Sequence, residues 1–149
     1  MKTVEYRQGT ATVEEIHAHL AACSARHRPA LAPRIDLPEY AQKIFRNAVT
    51  FEAWAGGTLV GLVAAYLNDA TARTGYITNV SVTADYAGCG VASRLMDACR
   101  ARAAATGMRS LALEVGKANT AAIALYRKLG FEVSGDNGDF TTMKLSINA

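Results

Sequence analysis

The sequence predicts a mixed α/β (α+β) domain with one central sheet of about seven strands flanked by four helices. Apolar segments of strand length recur along the chain, amphipathic segments with helix-capping residues lie between them, and glycines mark the turns. The predicted order is β, two α, three β, α, β, α, two β. A length of 149 residues suits a single domain spanning residues 1–149.

The first third of the chain predicts one strand and two helices. Residues 3–8 alternate as a strand does, and Thr12 with Glu15 forms a capping box. The apolar residues that follow recur at helical spacing, at Val13, Ile16, Leu20 and Cys23. Residues 24–35 contain two prolines and several basic side chains and predict a loop, after which Asp36 begins a second helix. One face of this helix is predicted to carry Tyr40, Ile44 and Phe45.

The middle of the chain predicts three consecutive strands. Residues 50–55 and 58–66 flank Gly56-Gly57, which supplies the positive φ angles of a tight hairpin turn. Residues 75–83 form the next predicted strand. Regular alternation predicts that one of its faces carries Tyr76, Thr78, Val80 and Val82, opposite Ile77, Asn79 and Ser81.

The second half of the chain predicts two further helices around a strand. The first helix follows Gly90 and stops at Gly107, and residues 109–115 form the strand. Asn119 caps the next helix, and Gly130 suits its left-handed end. Phe131 would fold back on the last turn.

The chain closes in a predicted hairpin. Its strands are residues 131–135 and 139–147. The turn between them is placed at Asp136-Asn137-Gly138, because these residue types favour turns.

Charge and hydropathy exclude several classes of protein. The net charge is +3 and the pI is about 8.9, with no run of lysine or arginine, so nucleic acid is not a predicted partner. No apolar run approaches the roughly 20 residues of a membrane span, and no membrane partner is predicted. The N-terminus has no apolar signal core, which predicts a cytoplasmic protein.

Cysteine and histidine do not predict a metal site. Cys23, Cys89 and Cys99 match no metal-binding spacing and are expected to be reduced thiols. His17 and His19 are two residues apart, so they point away from each other on a helix. No metal is therefore expected.

The segment Ala-Gly-Cys-Gly-Val-Ala at residues 87–92 lies between a strand and a helix. The first amides of a helix are unpaired and attract anions, and glycines let the backbone approach a ligand closely. A pyrophosphate would fit there, although a plain strand-to-helix connection remains an alternative. The segment is neither a Walker loop nor a dinucleotide fingerprint.

Residues 113–131, LEVGKANTAAIALYRKLGF, resemble the closing signature of the GCN5-related N-acetyltransferase (GNAT) superfamily. The matching residues are Asn119, Ala122, Leu125, Tyr126, Leu129, Gly130 and Phe131. Residues 79–96, NVSVTADYAGCGVASRLM, resemble the acetyl-CoA motif of the same family. The resemblance covers about residues 50–145.

The resemblance implies a sheet that is splayed between its fourth and fifth strands. Acetyl-CoA would bind in that gap as co-substrate. Pantetheine amides would pair with backbone groups near Val80 and Val82, like an added strand. The pyrophosphate would meet the loop at Cys89, Gly90, Val91, Ala92 and Ser93.

One position departs from the family pattern Arg/Gln-x-x-Gly-x-Gly/Ala. Gly90 and Ala92 fit its last two positions, but Ala87 stands where the family has Arg or Gln. The loss of one side-chain contact is expected to weaken coenzyme binding without abolishing it, because the backbone amides remain.

The resemblance implies direct attack of an amine on the thioester and assigns two candidate catalytic residues. Tyr126 would protonate the leaving sulfur, since a phenol stays protonated at neutral pH. Periodicity alone would make it a core aromatic. Glu114, at the end of an apolar strand, is the candidate general base, and an outward-facing charge is the alternative.

Three further assignments complete the predicted site. A backbone N–H near Val82 would stabilise the developing oxyanion. Asn119 would cap its helix and also contact the coenzyme. A covalent mechanism through Cys89 is rejected, because a thiolate there would oppose the phosphates.

The predicted function is transfer of acetyl from acetyl-CoA to a small-molecule or peptide amine. The acceptor region would be about residues 24–46 and 134–141. Arg26, Arg28, Arg34 and Arg46 favour an acidic acceptor or form a solvated face, whereas Asp136 and Asp139 favour a cationic one.

Two other functions and one assembly stay open. A non-catalytic acyl-CoA-binding module is one alternative, supported by Ala87 alone. An acyltransferase that acts on a hydroxyl is the other. The exposed edge of a mixed sheet leaves a homodimer open.

Overall fold

The computed structural model describes residues 2–24 and 36–147. The helices are α1 (Val13–Cys23), α2 (Leu37–Asn47), α3 (Val91–Ala105) and α4 (Thr120–Lys128). The strands are β1 (Val4–Gln8), β2 (Val49–Ala55), β3 (Thr58–Tyr66), β4 (Thr74–Val82), β5 (Ser110–Gly116), β6 (Glu132–Asn137) and β7 (Phe140–Ser146). This order confirms the predicted fold class.

All seven strands form one mixed sheet in the order β1-β2-β3-β4-β5-β7-β6. Among the strands of the described residues, only the β4–β5 pair is parallel. The pair is joined from Thr74–Ser110 to Ile77–Leu113. Beyond these residues β4 continues to Val82 and β5 to Gly116, and the two strands no longer pair with each other. The predicted gap between the fourth and fifth strands is therefore present.

The two faces of the sheet carry separate cores. On one face α3 and α4 pack on a large apolar cluster that includes Leu95, Leu113 and Met143. On the other face α1 and α2 pack on a smaller cluster around Ile16 and Leu62. The two layers bury the long apolar runs of β2 and β3 on both sides, which explains why these strands do not alternate.

A β-bulge at Thr78 corrects the predicted alternation in β4. Ala64 pairs with Asn79 but Ala65 pairs with Ile77, so Thr78 has no partner in β3. A bulge inserts one residue and exchanges the faces beyond it. Ile77 therefore shares the α3–α4 face with Val80 and Val82. On the opposite face Ser81 hydrogen-bonds His19 of α1 and Asn79.

The predicted helix ends are largely confirmed. Thr12 and Glu15 form both bonds of the capping box, and the Asp36 side chain accepts from the Glu39 amide. Phe131 donates its amide to the carbonyl of Tyr126, and Gly130, at φ 105°, donates to Arg127, so α4 ends in a Schellman motif.

Two local predictions were wrong. Phe45 is 52 % exposed, and the buried residues of α2 are Ala41 and Ile44, three residues apart. The last hairpin turns at Gly138-Asp139, because β6 continues through Asn137. The positive φ of Gly138 explains the position of that turn.

Candidate functional site

A cleft of about 410 Å³ opens where β4 and β5 separate. The residues that line it and were predicted for the coenzyme or for catalysis are Val80, Val82, Gly90, Val91, Ala92, Ser93, Asn119 and Tyr126. They come from three places: the end of β4, the start of α3, and α4 with its N-cap Asn119. The structure thus gathers residues from the two motifs at one place.

Residues 87–92, called the glycine loop below, lie at one end of this cleft. Gly88 and Gly90 have φ angles of 76° and 79°, which L side chains rarely adopt. Gly90 is also the N-cap of α3, and no side chain caps this helix end. The first amides of α3 are therefore open to a ligand, and an added Cβ on either glycine would meet nothing within 4 Å. This geometry fits the diphosphate of a coenzyme.

Cys89 differs from the rest of the predicted loop. Its side chain is exposed, and its Sγ lies 3.7 Å from the carbonyl oxygen of Ala87. It is not among the residues that line the cleft, whereas Ala87 is. Any contribution of Cys89 to ligand binding would come from its backbone amide.

Helix α4 forms the opposite side of the cleft. The side-chain oxygen of Asn119 accepts from the amide of Ala122 at 3.2 Å, so its predicted role as a cap is confirmed. Tyr126 is 6 % exposed and packs against Phe131, with ring centroids 5.9 Å apart. Burial raises the pKa of Tyr126 to about 12, so this phenol carries its proton at neutral pH.

Glu114 lies on the other face of the sheet. Its neighbours Leu113 and Val115 belong to the α3–α4 core, and alternation directs Glu114 away from them. The side chain is exposed, and its Oε2 accepts from Asn137 Nδ2 at 2.8 Å. Glu114 does not line the cleft, so the structure separates it from Tyr126 by the plane of the sheet.

The predicted acceptor residues are only partly described. Arg26, Arg28 and Arg34 lie outside the described residues. Arg46 is exposed on α2 and donates to Gln42. Asp136 forms an ion pair with Lys117, which offsets its charge at the rim of the gap.

Three tyrosines near the gap, Tyr40, Tyr66 and Tyr76, were not predicted from the sequence as residues of the site. Tyr66 and Tyr76 are direct cross-strand partners at the end of the β3–β4 pair. The Tyr40 hydroxyl donates to the carbonyl oxygen of Thr78 at 2.6 Å and lies 2.8 Å from Thr78 Oγ1. Burial chiefly raises the pKa of Tyr40 to about 12. Alternation could have placed Tyr66 and Tyr76 together, but only once the pairing register was known.

No three His, Cys, Asp or Glu side chains of residues 2–24 and 36–147 are grouped so that they could hold a metal ion. Over the same residues, no helix has the length and hydropathy needed to cross a membrane. His19 is instead a buried residue, with Nδ1 3.1 Å from the carbonyl oxygen of Leu59 and Nε2 2.8 Å from Ser81 Oγ.

Solved structures show the same fold. The ribosomal-protein-S18-alanine N-acetyltransferase from Escherichia coli superposes with a TM-score of 0.75 at 21 % identity, over 100 % of this chain and 96 % of that one. The PaiA N-acetyltransferase from Thermoplasma acidophilum, in complex with coenzyme A, gives 0.74 at 14 % identity over 97 % and 99 %. PH1933 from Pyrococcus horikoshii OT3 gives 0.79 at 19 % identity over 99 % and 100 %.

Sequence comparison points to one family. None of the curated proteins matches the chain. The sequence model of the acetyltransferase (GNAT) family matches residues 13–131, which include the glycine loop, the gap between β4 and β5 and all of α4. The chain therefore belongs to the GNAT family of acetyltransferases.

Proposed function

We propose that the protein is an N-acetyltransferase that moves acetyl from acetyl-CoA to a primary amine by direct attack in a ternary complex. The observation that carries this proposal is the position of the gap in the sheet. It lies between a buried phenol on the α3–α4 face, Tyr126, and a carboxylate on the other face, Glu114. An acid and a base on opposite sides of one opening suit a reaction between two substrates that enter from opposite sides.

The coenzyme would be held on the α3–α4 face. The amides of Cys89, Gly90, Val91, Ala92 and Ser93 would bind its diphosphate, supported by the positive end of α3. Val80 and Val82 lie on β4 beyond its last residue pair with β5, along the gap, where the strand would pair with the pantetheine amides. Asn119 would contribute from the start of α4. Bound acetyl-CoA supplies an activated acyl group as a thioester.

The two side chains would move the protons of the reaction. Glu114 would take one proton from the ammonium of the acceptor, which leaves a nucleophilic lone pair on nitrogen. The new N–C bond forms, the nitrogen gives up its second proton to solvent, and the C–S bond breaks. Tyr126 would give its proton to the departing sulfur, and a backbone N–H near Val82 would stabilise the developing oxyanion.

The first test is a calorimetric titration of the full chain with acetyl-CoA and, separately, with free CoA. Micromolar affinity, about −8 kcal/mol, is expected if the loop amides suffice without Arg or Gln at position 87. Ala92→Glu places a negative charge in the loop and should weaken binding of both ligands at least about tenfold. Ala101→Glu, at an exposed position of the same helix, is the matched control and should bind normally.

The product distinguishes the remaining alternatives. An amine panel incubated with acetyl-CoA should give an amide that resists hydroxylamine. An ester that hydroxylamine cleaves would instead indicate a hydroxyl acceptor. Tight coenzyme binding with no acetylated product from any amine or alcohol would favour the non-catalytic binding module.

A further inference from the structure

The sheet face opposite the coenzyme cleft carries a row of side chains across three strands. Tyr66 of β3 pairs directly with Tyr76 of β4, and Tyr76 pairs with Ala112 of β5. Glu114 follows two residues after Ala112 and so points to the same face. Tyr66, Tyr76, Ala112 and Glu114 are called the tyrosine face below. It lies beside the gap, on the side where the proposed function places the amine.

The hydroxyl of Tyr66 is the unexplained group on this face. It is buried, and among the described residues it has no hydrogen-bond partner. Buried polar groups without a partner are rare in folded proteins because each loses its hydrogen bonds to water without compensation. An oxygen atom from a ligand would satisfy it once the side chains that cover the hydroxyl move aside.

The charges at the two ends of this face have opposite signs. Lys43 of α2 places its Nζ 5.7 Å from the centroid of the Tyr66 ring. At the other end stands the Glu114 carboxylate, whose Oε2 is held by Asn137. Burial first, then the charge of Glu114 and then Tyr66, raises the pKa of Tyr76. Tyr76 lies between the two ends through its pairing with Tyr66 and Ala112, and the negative charge of Glu114 contributes to its raised pKa.

The spacing of the two ends defines the length of a ligand. Tyr66 and Glu114 lie two strands and two residues apart, which corresponds to roughly 12 Å between their Cα atoms. Tyr76 lies between them and is 37 % exposed, so its ring can contact an apolar chain. One group cannot reach both ends, but a short chain with a polar group at each end can.

We propose that the tyrosine face selects an acceptor that carries a carboxylate several bonds from its amine. The ammonium lies at Glu114, the intervening chain covers the ring of Tyr76, and the carboxylate accepts from the Tyr66 hydroxyl beside Lys43. This inference rests on the proposed function, because it takes the tyrosine face as the acceptor side. Tyr66 and Lys43 are then specificity-determining residues.

The test uses three matched probes on the full chain saturated with CoA: 6-aminohexanoate, pentylammonium and hexanoate. Titrations are followed in ¹⁵N–¹H spectra through the amides of Tyr76, Ala112 and Glu114. The probe with both charges should bind about tenfold more tightly than either probe with one charge, because each end adds a charge-assisted hydrogen bond. Equal affinities for 6-aminohexanoate and pentylammonium would overturn the proposal.

Variants assign the carboxylate to its end of the face. Tyr66→Phe and Lys43→Gln should each lower the affinity for 6-aminohexanoate toward that for pentylammonium and leave pentylammonium unchanged. Tyr66→Phe should not lower the melting temperature, because the lost hydroxyl has no partner among the described residues. Tyr6→Phe, on the edge strand β1 and away from the tyrosine face, is the matched control. An unchanged affinity for 6-aminohexanoate in Tyr66→Phe would contradict the assignment.

The outcome separates this inference from the proposed function. If the three probes bind in the expected order but no amide forms with acetyl-CoA, the tyrosine face stands and the enzyme proposal fails. If amines are acetylated with no preference for a distal carboxylate, and the variants change nothing, the enzyme proposal stands and this inference fails.

Discussion

The hydroxyl of Tyr40 donates to the carbonyl oxygen of Thr78, the one residue that the bulge leaves without a partner in β3. This bond joins α2 to β4 immediately before the part of the strand that borders the gap. The bulge exchanges the faces beyond it, so Val80 and Val82 line the coenzyme cleft while Tyr76 faces the opposite side. The bulge thus sets which side chains of β4 face the cleft and which face the other side of the sheet.

Tyr40→Phe should remove the hydrogen bond to the Thr78 carbonyl oxygen while keeping the aromatic ring at position 40 in place. The expected loss in the free energy of unfolding is about 1 kcal/mol, the usual effect of one hydrogen bond. The affinity for acetyl-CoA should fall as well, because the backbone at Val80 and Val82 is less firmly held. Chemical denaturation and calorimetry measure the two effects. A loss of stability with unchanged coenzyme affinity would show that the bulge holds its shape without Tyr40.

Tyr126→Phe should lower kcat about 100-fold, a typical contribution of a general acid. The ring and its contact with Phe131 are retained, so the melting temperature and the affinity for acetyl-CoA should stay close to those of the parent. Stopped-flow measurement of thiol release separates the chemical step from product release. An unchanged kcat would remove Tyr126 from the mechanism and leave it as a core aromatic.

Glu114→Gln should lower kcat/KM at neutral pH and shift activity to higher pH. Glutamine keeps an oxygen for the Asn137 contact but cannot take a proton, so the amine must lose its proton to solvent. The rate of the variant should therefore rise toward that of the parent as the pH approaches the pKa of the acceptor amine. A pH–rate profile of unchanged shape would exclude Glu114 as the base. Glu132→Gln, an exposed change on β6, is the control.

Ala87→Gln should increase the affinity for acetyl-CoA about fivefold, by restoring one side-chain hydrogen bond at the family position. Ala87 is exposed and lines the cleft, with backbone angles that any residue adopts, so the longer side chain fits without strain. Ala84→Gln, on the same turn but outside the cleft, should leave the affinity unchanged. An equal gain in affinity for acetyl-CoA from Ala84→Gln would contradict a specific contact at position 87.

Glu52→Gln should destabilise the protein by about 3 kcal/mol, because it disrupts a buried, hydrogen-bonded charge. The carboxylate of Glu52 accepts from the amides of Thr10 and Ala11 and from the side chains of Thr10, Thr50 and Trp54. Burial alone would raise the pKa of Glu52, but these hydrogen bonds outweigh burial and the pKa is lowered.

Because the pKa of Glu52 is lowered, its contribution to the free energy of unfolding depends on pH. A group whose pKa is lower in the folded state stabilises the protein above its unfolded pKa, and the contribution is lost as the pH falls through the folded pKa. The parent should therefore lose stability on acidification below about pH 4.5, and Glu52→Gln should lose less over the same range. Denaturation at several pH values measures the difference. Glu5→Gln, an exposed control, should behave as the parent does.

Features fixed by neighbouring residues could be predicted from the sequence. The capping box at Thr12 and the Schellman motif at Gly130 depend on residue types within one or two turns, and both are present. The bulge at Thr78 depends on the pairing of β4 with β3, and its carbonyl accepts from Tyr40, 38 residues away. Regular alternation could not reveal it, so Val80 and Val82 were grouped with Tyr76, whereas they share a face with Ile77.

The candidate site divides in the same way. The cleft residues were found through two contiguous motifs, since Gly90 to Ser93 and Asn119 to Tyr126 each lie on one element. The tyrosine face brings together Tyr66, Tyr76 and Glu114 from three strands, and no local pattern marks it. The buried Glu52 was missed because its partners at Thr10 and Ala11 lie on the loop before α1.

The short pairing between β4 and β5 has a mechanical consequence. Among the described residues, the ladder that joins the four-stranded half of the sheet to the three-stranded half has four residue pairs, from Thr74–Ser110 to Ile77–Leu113. This seam is where the sheet should open most readily, with amide exchange at β4 and β5 faster than in β2 and β3. A ligand that pairs with both strands of this seam would hold the two halves of the sheet together, and the halves would then unfold as one unit.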